Sequence, residues 1–248
     1  MSGRLSGRTA VVTGAAQGLG QAYAVRLAQD GARLILIDKN DPEATRAAIV
    51  DVGGEASSVV ADISHLETLP GLCRKVLADI GEVDILVNNA GIFPFQPIEQ
   101  ITLDEWRRVF ATNLDAPFFL AQGFLPGMRA RKWGRILNIS SNTVWTMDPN
   151  FSHYLTSKAG VVGLTRALSS EVGNDGVTVN AIAPSLTRTP GTENSPAKDI
   201  FDTWREGQAI NRLEEPADLV GAVSFFCSDD AAFITGQTLM VDGGMVRA

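Results

Sequence analysis

The sequence predicts an α/β fold: one doubly wound, mostly parallel seven-stranded sheet with helices on both faces. Three observations carry that reading. Short apolar, β-branched segments recur along the chain, and stretches of helical period separate them. Those segments are apolar nearly throughout rather than alternating, as strands covered on both faces must be. The length of 248 residues suits one large domain with a substantial core. Residues 1–248 are therefore read as a single dinucleotide-binding and catalytic domain, with a substrate lid at about 189–212.

The elements follow in order. Thr9–Thr13 is a short β-branched strand running into Gly14-Ala15-Ala16-Gln17-Gly18-Leu19-Gly20. Ala22, Val25 and Leu27 then lie apolar among Gln21, Arg26 and Gln29, an amphipathic helix that Gly31 ends. Residues 34–38 form the second strand, closing at Asp38, and 56–61 the third. Next come a helix over 66–80, a strand over 83–87 and a long helix over 103–129, with an interruption expected at Pro117. Strand 135–139, helix 154–172, strand 177–183, helix 216–227 and strand Thr238–Val241 complete the alternation. Strands and helices taking turns imply parallel pairing through right-handed crossovers. The stretch from Ser185 to about Arg212 has no sustained period, which marks a functional lid or a disordered loop.

Composition narrows the function. Twenty-one basic against 28 acidic residues give a net charge of -7, which argues against nucleic-acid or anionic-membrane partners. No apolar run has the length of a membrane span. Met1-Ser2-Gly3-Arg4 lacks the apolar stretch of a secretory signal, so the expected location is cytoplasmic. Cys73 and Cys227 stand far apart without ligand-like spacing and read as reduced core thiols. No His, Cys and carboxylate cluster suggests a metal.

Gly14, Gly18 and Gly20 between the first strand and its helix suit a dinucleotide. They let the backbone approach the pyrophosphate, and the helix N-terminus offers unpaired N–H groups and a positive dipole end. With the strand before and the helix after, the turn reads as a Rossmann-type cofactor site, although its G-x-x-x-G-x-G spacing departs from the general fingerprint. Asp38, eighteen positions past Gly20, can accept hydrogen bonds from the adenosine ribose and repel a 2′-phosphate. The cofactor is therefore read as NAD rather than NADP. Gln17 agrees, since no arginine stands in the turn; Lys39 pulls the other way. Asp62 either holds the adenine amino group or caps its own turn, with Ile63 beside it.

Tyr154 and Lys158 are four apart and share a helix face. A tyrosine of ordinary pKa, about 10, is a poor base at neutral pH. A nearby ammonium and the pyridinium of an oxidised cofactor would stabilise the phenolate. A drop of ~3 units needs roughly 4 kcal/mol, within reach of two close cations in a partly dry site. Ser141 ends a predicted parallel strand, where open α/β sheets place ligand-binding groups. Tyr23 reads as packing, His65 as a surface residue at a helix start, and His153 as pointing away from Tyr154's face.

Together these residues resemble the short-chain dehydrogenase/reductase family over essentially the whole chain. The likeness rests on Thr13 to Gly20 as its T-G-x-x-x-G-x-G turn and on Asn88-Asn89-Ala90-Gly91. It rests further on Ser141, Tyr154 and Lys158 as its S…Y-x-x-x-K signature, and on Asn113 as its catalytic asparagine. The resemblance implies that Tyr154 exchanges the hydroxyl proton while Lys158 binds the nicotinamide ribose and lowers the tyrosine pKa. It implies that Ser141 polarises the substrate oxygen and that Asn113 holds a water in a proton relay. Asn89 would stabilise the central sheet, with Ala90 and Gly91 lining the adenosine side. Pro184, Thr187 and Thr189 fall in the segment that holds the carboxamide, Thr189 by its hydroxyl. The family's usual Pro-Gly is Pro184-Ser185 here, and family spacing favours Ser141 over Ser140. A homotetramer is also implied.

The substrate pocket is expected from three segments. They offer Ile92, Phe93 and Phe95, then Asn142, Trp145, Met147 and Phe151, and then Trp204, with Phe93, Ser141, Trp145 and Tyr154 as contacts. Such a pocket, without an Arg or Lys directed at an anion, suits a neutral, apolar or aromatic secondary alcohol or its ketone; alternatively half of these aromatics only pack the lid. Residues 182–186, 233–237 and 243–247 resemble, more loosely, bacterial 1-phenylethanol-type dehydrogenases of the family. Other readings are a 3-oxoacyl-thioester reductase, a pyridoxal- or sugar-type dehydrogenase, and a non-catalytic NAD-binding scaffold, which the retained catalytic set argues against.

Overall fold

Seven strands pair in one parallel sheet in the order β3-β2-β1-β4-β5-β6-β7. The structure, a computed structural model, describes residues 3–247, so the reading of Met1 and Ser2 as a leaderless start lies outside the described residues. The strands are β1 (Thr9–Thr13), β2 (Arg33–Asp38), β3 (Ala56–Val60), β4 (Ile85–Asn88), β5 (Gly134–Ile139), β6 (Val177–Pro184) and β7 (Thr238–Val241). Every residue of β4, β5 and β6 is buried, the polar Asn88, Arg135, Asn138, Thr178 and Asn180 included, as befits central strands packed on both sides. The helices are α1 (Gly18–Gln29), α2 (Glu43–Asp51), α3 (Leu69–Ile80), α4 (Leu103–Phe110), α5 (Ala116–Arg131), α6 (Thr143–Thr146), α7 (Ser152–Val172), α8 (Pro190–Glu193), α9 (Phe201–Gly207) and α10 (Pro216–Phe226).

Two apolar layers flank the sheet. One gathers Tyr23, Leu27, Leu34, Leu36, Leu219 and Val223 between the strands and helices α1 and α10. The other joins Ile35, Leu86, Leu120, Phe124 and Leu168 under α3, α5 and α7. The strand order reverses between β1 and β4, and the crevice at their carboxyl ends is where such sheets receive ligands. No helix among the described residues is long and apolar enough to cross a membrane.

Several expectations need correction. Helix α2 has no counterpart in the sequence reading, because Thr45 and Ile49 alone are buried and leave little periodic signal. The helix expected over 103–129 is broken not at Pro117 but by a π-helical turn at Ala111–Asp115. Pro117 instead sits in the first turn of α5, where a missing N–H costs nothing. The segment after β6 is not irregular. A capping box between Thr189 and Thr192 starts α8, a 3-10 turn at Pro196–Ile200 follows, and α9 closes the stretch. Its elements are too short for a period to show.

Candidate functional site

The turn after β1 is built for close approach. Gly14 and Gly18 adopt left-handed φ of 66° and 61°. A Cβ on Gly20 would stand 2.0 Å from the Gly14 carbonyl oxygen, so no side chain fits there. Helix α1 starts after Gln17 with no side-chain cap and no acidic residue in its first turn, leaving its N–H groups for an anion. Asn89 ties the turn to β4, its Nδ2 donating to the Thr13 and Gly14 carbonyls at 2.9 and 3.1 Å. These features fit a dinucleotide pyrophosphate.

A cavity of about 510 Å³ opens over this turn. Gly14, Gln17, Gly18, Leu19, Gly20, Asp38, Asp62, Ile63, Asn89, Ala90, Gly91, Tyr154, Lys158, Pro184, Thr187 and Thr189 all line it. Asp38 is held by the Ala16 and Asn40 amides, each donating at 2.9 Å, one to each carboxylate oxygen. Asp62 accepts from the Ser64 hydroxyl and amide, which hold its carboxyl below the usual range. It therefore caps its own turn and also faces the cavity. Lys39 lines the wall too.

Deeper in the same cavity lie Ser141, Tyr154 and Lys158. The Lys158 ammonium donates to the Ile139 carbonyl at 2.7 Å and stands 5.8 Å from the Tyr154 ring centroid. The shared helix face inferred from the spacing is thus present. Burial pushes Lys158 down to about 8 and pushes Tyr154 up, while a hydrogen bond with Ser141 draws the phenol back down. Among the chain's own groups burial outweighs the depression that the spacing suggested. Thr143 donates to Ser141 Oγ from its hydroxyl at 3.0 Å and from its amide at 3.3 Å. With its oxygen accepting from Thr143, Ser141 turns its one proton toward the Tyr154 phenol oxygen, inside the site. Ser140 is spent elsewhere, its hydroxyl donating to the Lys158 carbonyl at 3.0 Å.

Asn113 lies behind the cavity wall rather than on it. Its Oδ1 accepts from the Ile92 amide at 2.9 Å, and its Nδ2 donates to the Ile92 carbonyl and Ser157 Oγ. His153 is buried but contributes nothing to the lining, and Tyr23 is core.

Toward the lid, Phe93, Phe95, Phe151 and Trp204 join the wall, with the Phe93 and Phe151 rings edge-on to Tyr154 at 6.4 and 5.0 Å. Two expected contacts are absent from it. Trp145 is half-buried away from the cavity, and Met147, the left-handed residue that ends α6, is exposed. The wall is also more polar than expected. Asp148 lines it, half-buried with its carboxyl pushed up by burial, and so does Arg108, whose guanidinium is taken by Glu105 at 2.6 and 2.9 Å. Neither carried a motif, and only their position in the fold brings them here. The same holds for Glu214, buried behind the turn after β6.

A dinucleotide turn at the switch of a parallel sheet, opening onto a Ser, Tyr and Lys cluster, defines a pyridine-nucleotide oxidoreductase. Comparison with known proteins gives its family. Residues 14–246 match the model described as enoyl-(acyl carrier protein) reductase. The 3-oxoacyl-[acyl-carrier-protein] reductase of Synechocystis sp. is 35% identical, with 98% of each chain covered. The meso-2,3-butanediol dehydrogenase of Serratia marcescens is 33% identical over 97% of this chain and 95% of that one. A crystal structure from Beutenbergia cavernae, described as an NAD(P) dependent gluconate 5-dehydrogenase with bound NADP, superposes with a TM-score of 0.92 at 41% identity. That match covers 97% of both chains. The chain belongs to the short-chain dehydrogenase/reductase family.

Proposed function

We propose that the protein interconverts a secondary alcohol and its ketone by hydride transfer with NAD(H), Tyr154 serving as acid and base. The observation that carries this reading is the meeting of Ser141, Tyr154, Lys158 and Asp38 on one cavity. The bound nucleotide supplies the hydride acceptor in its oxidised form, the donor in its reduced form, and the positive charge of the pyridinium. A substrate oxygen seated between the two hydroxyls accepts the Ser141 proton, and Tyr154 Oη takes the alcohol proton or returns it to the ketone. Lys158, with one N–H on Ile139, has its other protons for the nicotinamide ribose. The Asn113 side chain lies behind the cavity wall, bonded to Ile92 and Ser157, so its part in a proton relay falls to its backbone within the π turn, a distortion frequent at functional sites. Gly14 to Gly20 hold the pyrophosphate, and Pro184, Thr187 and Thr189 hold the carboxamide end.

Asp38 supports NAD over NADP: its carboxylate is fixed at the crevice by two amides, where it accepts ribose hydroxyls and repels a 2′-phosphate. The aromatic wall of Phe93, Phe95, Phe151 and Trp204 supports a substrate with an apolar or aromatic body. The same reading makes the protein a cytoplasmic homotetramer, with exposed Phe118, Phe233 and Leu239 as apolar contact points.

A second reading, reduction of a 3-oxoacyl thioester, is favoured by the 35% identical relative named for that activity. Relatives from Haemophilus influenzae and Vibrio cholerae carry the same name at 35% and 37% identity, and the matching family model is described as an acyl-carrier-protein reductase, so the comparisons back this second reading better than the first. Assay of both nucleotides with secondary alcohols, and with ketones and acetoacetyl-CoA in reverse, separates the two. The first reading predicts NAD(H) preferred at least tenfold in kcat/KM and simple ketones ahead of the thioester. A preference for NADPH with acetoacetyl-CoA would replace it with the second.

A further inference from the structure

The turn Pro184 to Thr189, which faces the cavity, is gripped from behind by one buried acid. Glu214 Oε2 accepts the Ser185 amide at 3.1 Å and the Thr187 hydroxyl at 2.5 Å. The Arg188 amide donates to the Glu214 carbonyl at 2.8 Å, so main chain and side chain hold the same turn. Ser185, standing where the family's motif has glycine, adds a further tie by accepting from Gln208 Nε2 at 2.9 Å. Glu214 and Thr187 are only 5% and 3% exposed. A carboxyl in such a place costs free energy to bury, and nothing in the hydride-transfer scheme uses it.

We propose that Glu214 is a positioning residue for the nicotinamide end of the cofactor, acting through Ser185 and Thr187. By accepting the Thr187 proton it leaves the threonine oxygen as a fixed acceptor toward the cavity, a match for the N–H groups of a carboxamide. By accepting the Ser185 amide it sets the backbone of a turn that a serine, rather than glycine, must follow. The charged and titratable groups around it are Asp218 on α10, Asp242 after β7, Arg212 on its own segment and Tyr23 on α1, whose buried hydroxyl has no hydrogen-bond partner among the described residues. Burial, and after it the nearby Asp218 and Asp242, push Glu214 up to about 8 against the pull of the Thr187 and Ser185 hydrogen bonds.

This inference rests on reading the turn as the carboxamide site, and its test separates the two. NADH and ADP-ribose, which shares the adenosine diphosphate half but lacks the nicotinamide, are titrated against wild type, Glu214→Ala, Glu214→Asp and Glu214→Gln. Alanine, and aspartate by withdrawing the oxygen, should weaken NADH at least tenfold while ADP-ribose stays within twofold. Glutamine keeps an acceptor oxygen and should restore NADH to within about threefold. If alanine does not fold, the aspartate and glutamine pair carries the comparison. NADH binding unchanged in both shortened variants, or equal loss of NADH and ADP-ribose, overturns the proposal. Wild-type protein that binds ADP-ribose and NADH equally well overturns the carboxamide reading itself.

Discussion

Single side chains here act through the partners that hold them. Asp38 has both oxygens tied to backbone amides, so its charge cannot swing away from a 2′-phosphate. Asp38→Ala should lower kcat/KM for NAD at least tenfold and raise it for NADP, as steady-state assays with each nucleotide would register. Glu214 makes a prediction about pH. Its carboxyl ionises at 4.5 when unconstrained and is pushed up to about 8 in the fold. Between those values the folded chain binds more protons than the unfolded one, so this group's stabilising share is complete below 4.5 and is lost as pH rises through 8. The slope is at most about 1.4 kcal/mol per pH unit. Urea melts from pH 5 to pH 8 should therefore show wild type losing stability relative to Glu214→Gln. Parallel curves would contradict the buried, proton-holding carboxyl.

At the scale of elements, the chemistry depends on how strands and helices end. A methyl group on Gly20 would collide with the Gly14 carbonyl oxygen, and the contact is backbone that cannot yield. Gly20→Ala should abolish NADH binding, measured by fluorescence titration, while the rest of the fold persists in circular dichroism. The start of α8 depends on the Thr189 and Thr192 capping box. Losing such a cap costs ~1 kcal/mol, which falls on the lid. Thr192→Ala should raise the substrate KM severalfold with a smaller change in kcat. The sequence made the strands legible because they are short, mostly apolar and rich in β-branched residues. It made the glycine turn and the Tyr154 and Lys158 pair legible because both are local spacings. Helix α2 escaped because it buries too little to leave a stripe, and α8 and α9 because they are shorter than the window a period needs. Glu214, Asp148 and Arg108 escaped for another reason. Each reaches its position through contacts between distant segments, which no local pattern encodes.

For the whole molecule, the sheet's reversal between β1 and β4 places the nucleotide turn and the Ser141, Tyr154 and Lys158 cluster on one cavity, with the lid beyond. On the proposed function, this cavity binds the nucleotide independently of the proton transfer assigned to Tyr154. Tyr154→Phe removes one hydroxyl from a ring whose packing against Phe93 and Phe151 remains. The most direct measurement is a pair of numbers on that variant: its Kd for NADH and its turnover on the best secondary alcohol. A Kd within about threefold of wild type and a kcat lower by orders of magnitude are expected. Wild-type turnover in Tyr154→Phe would contradict the role assigned to Tyr154.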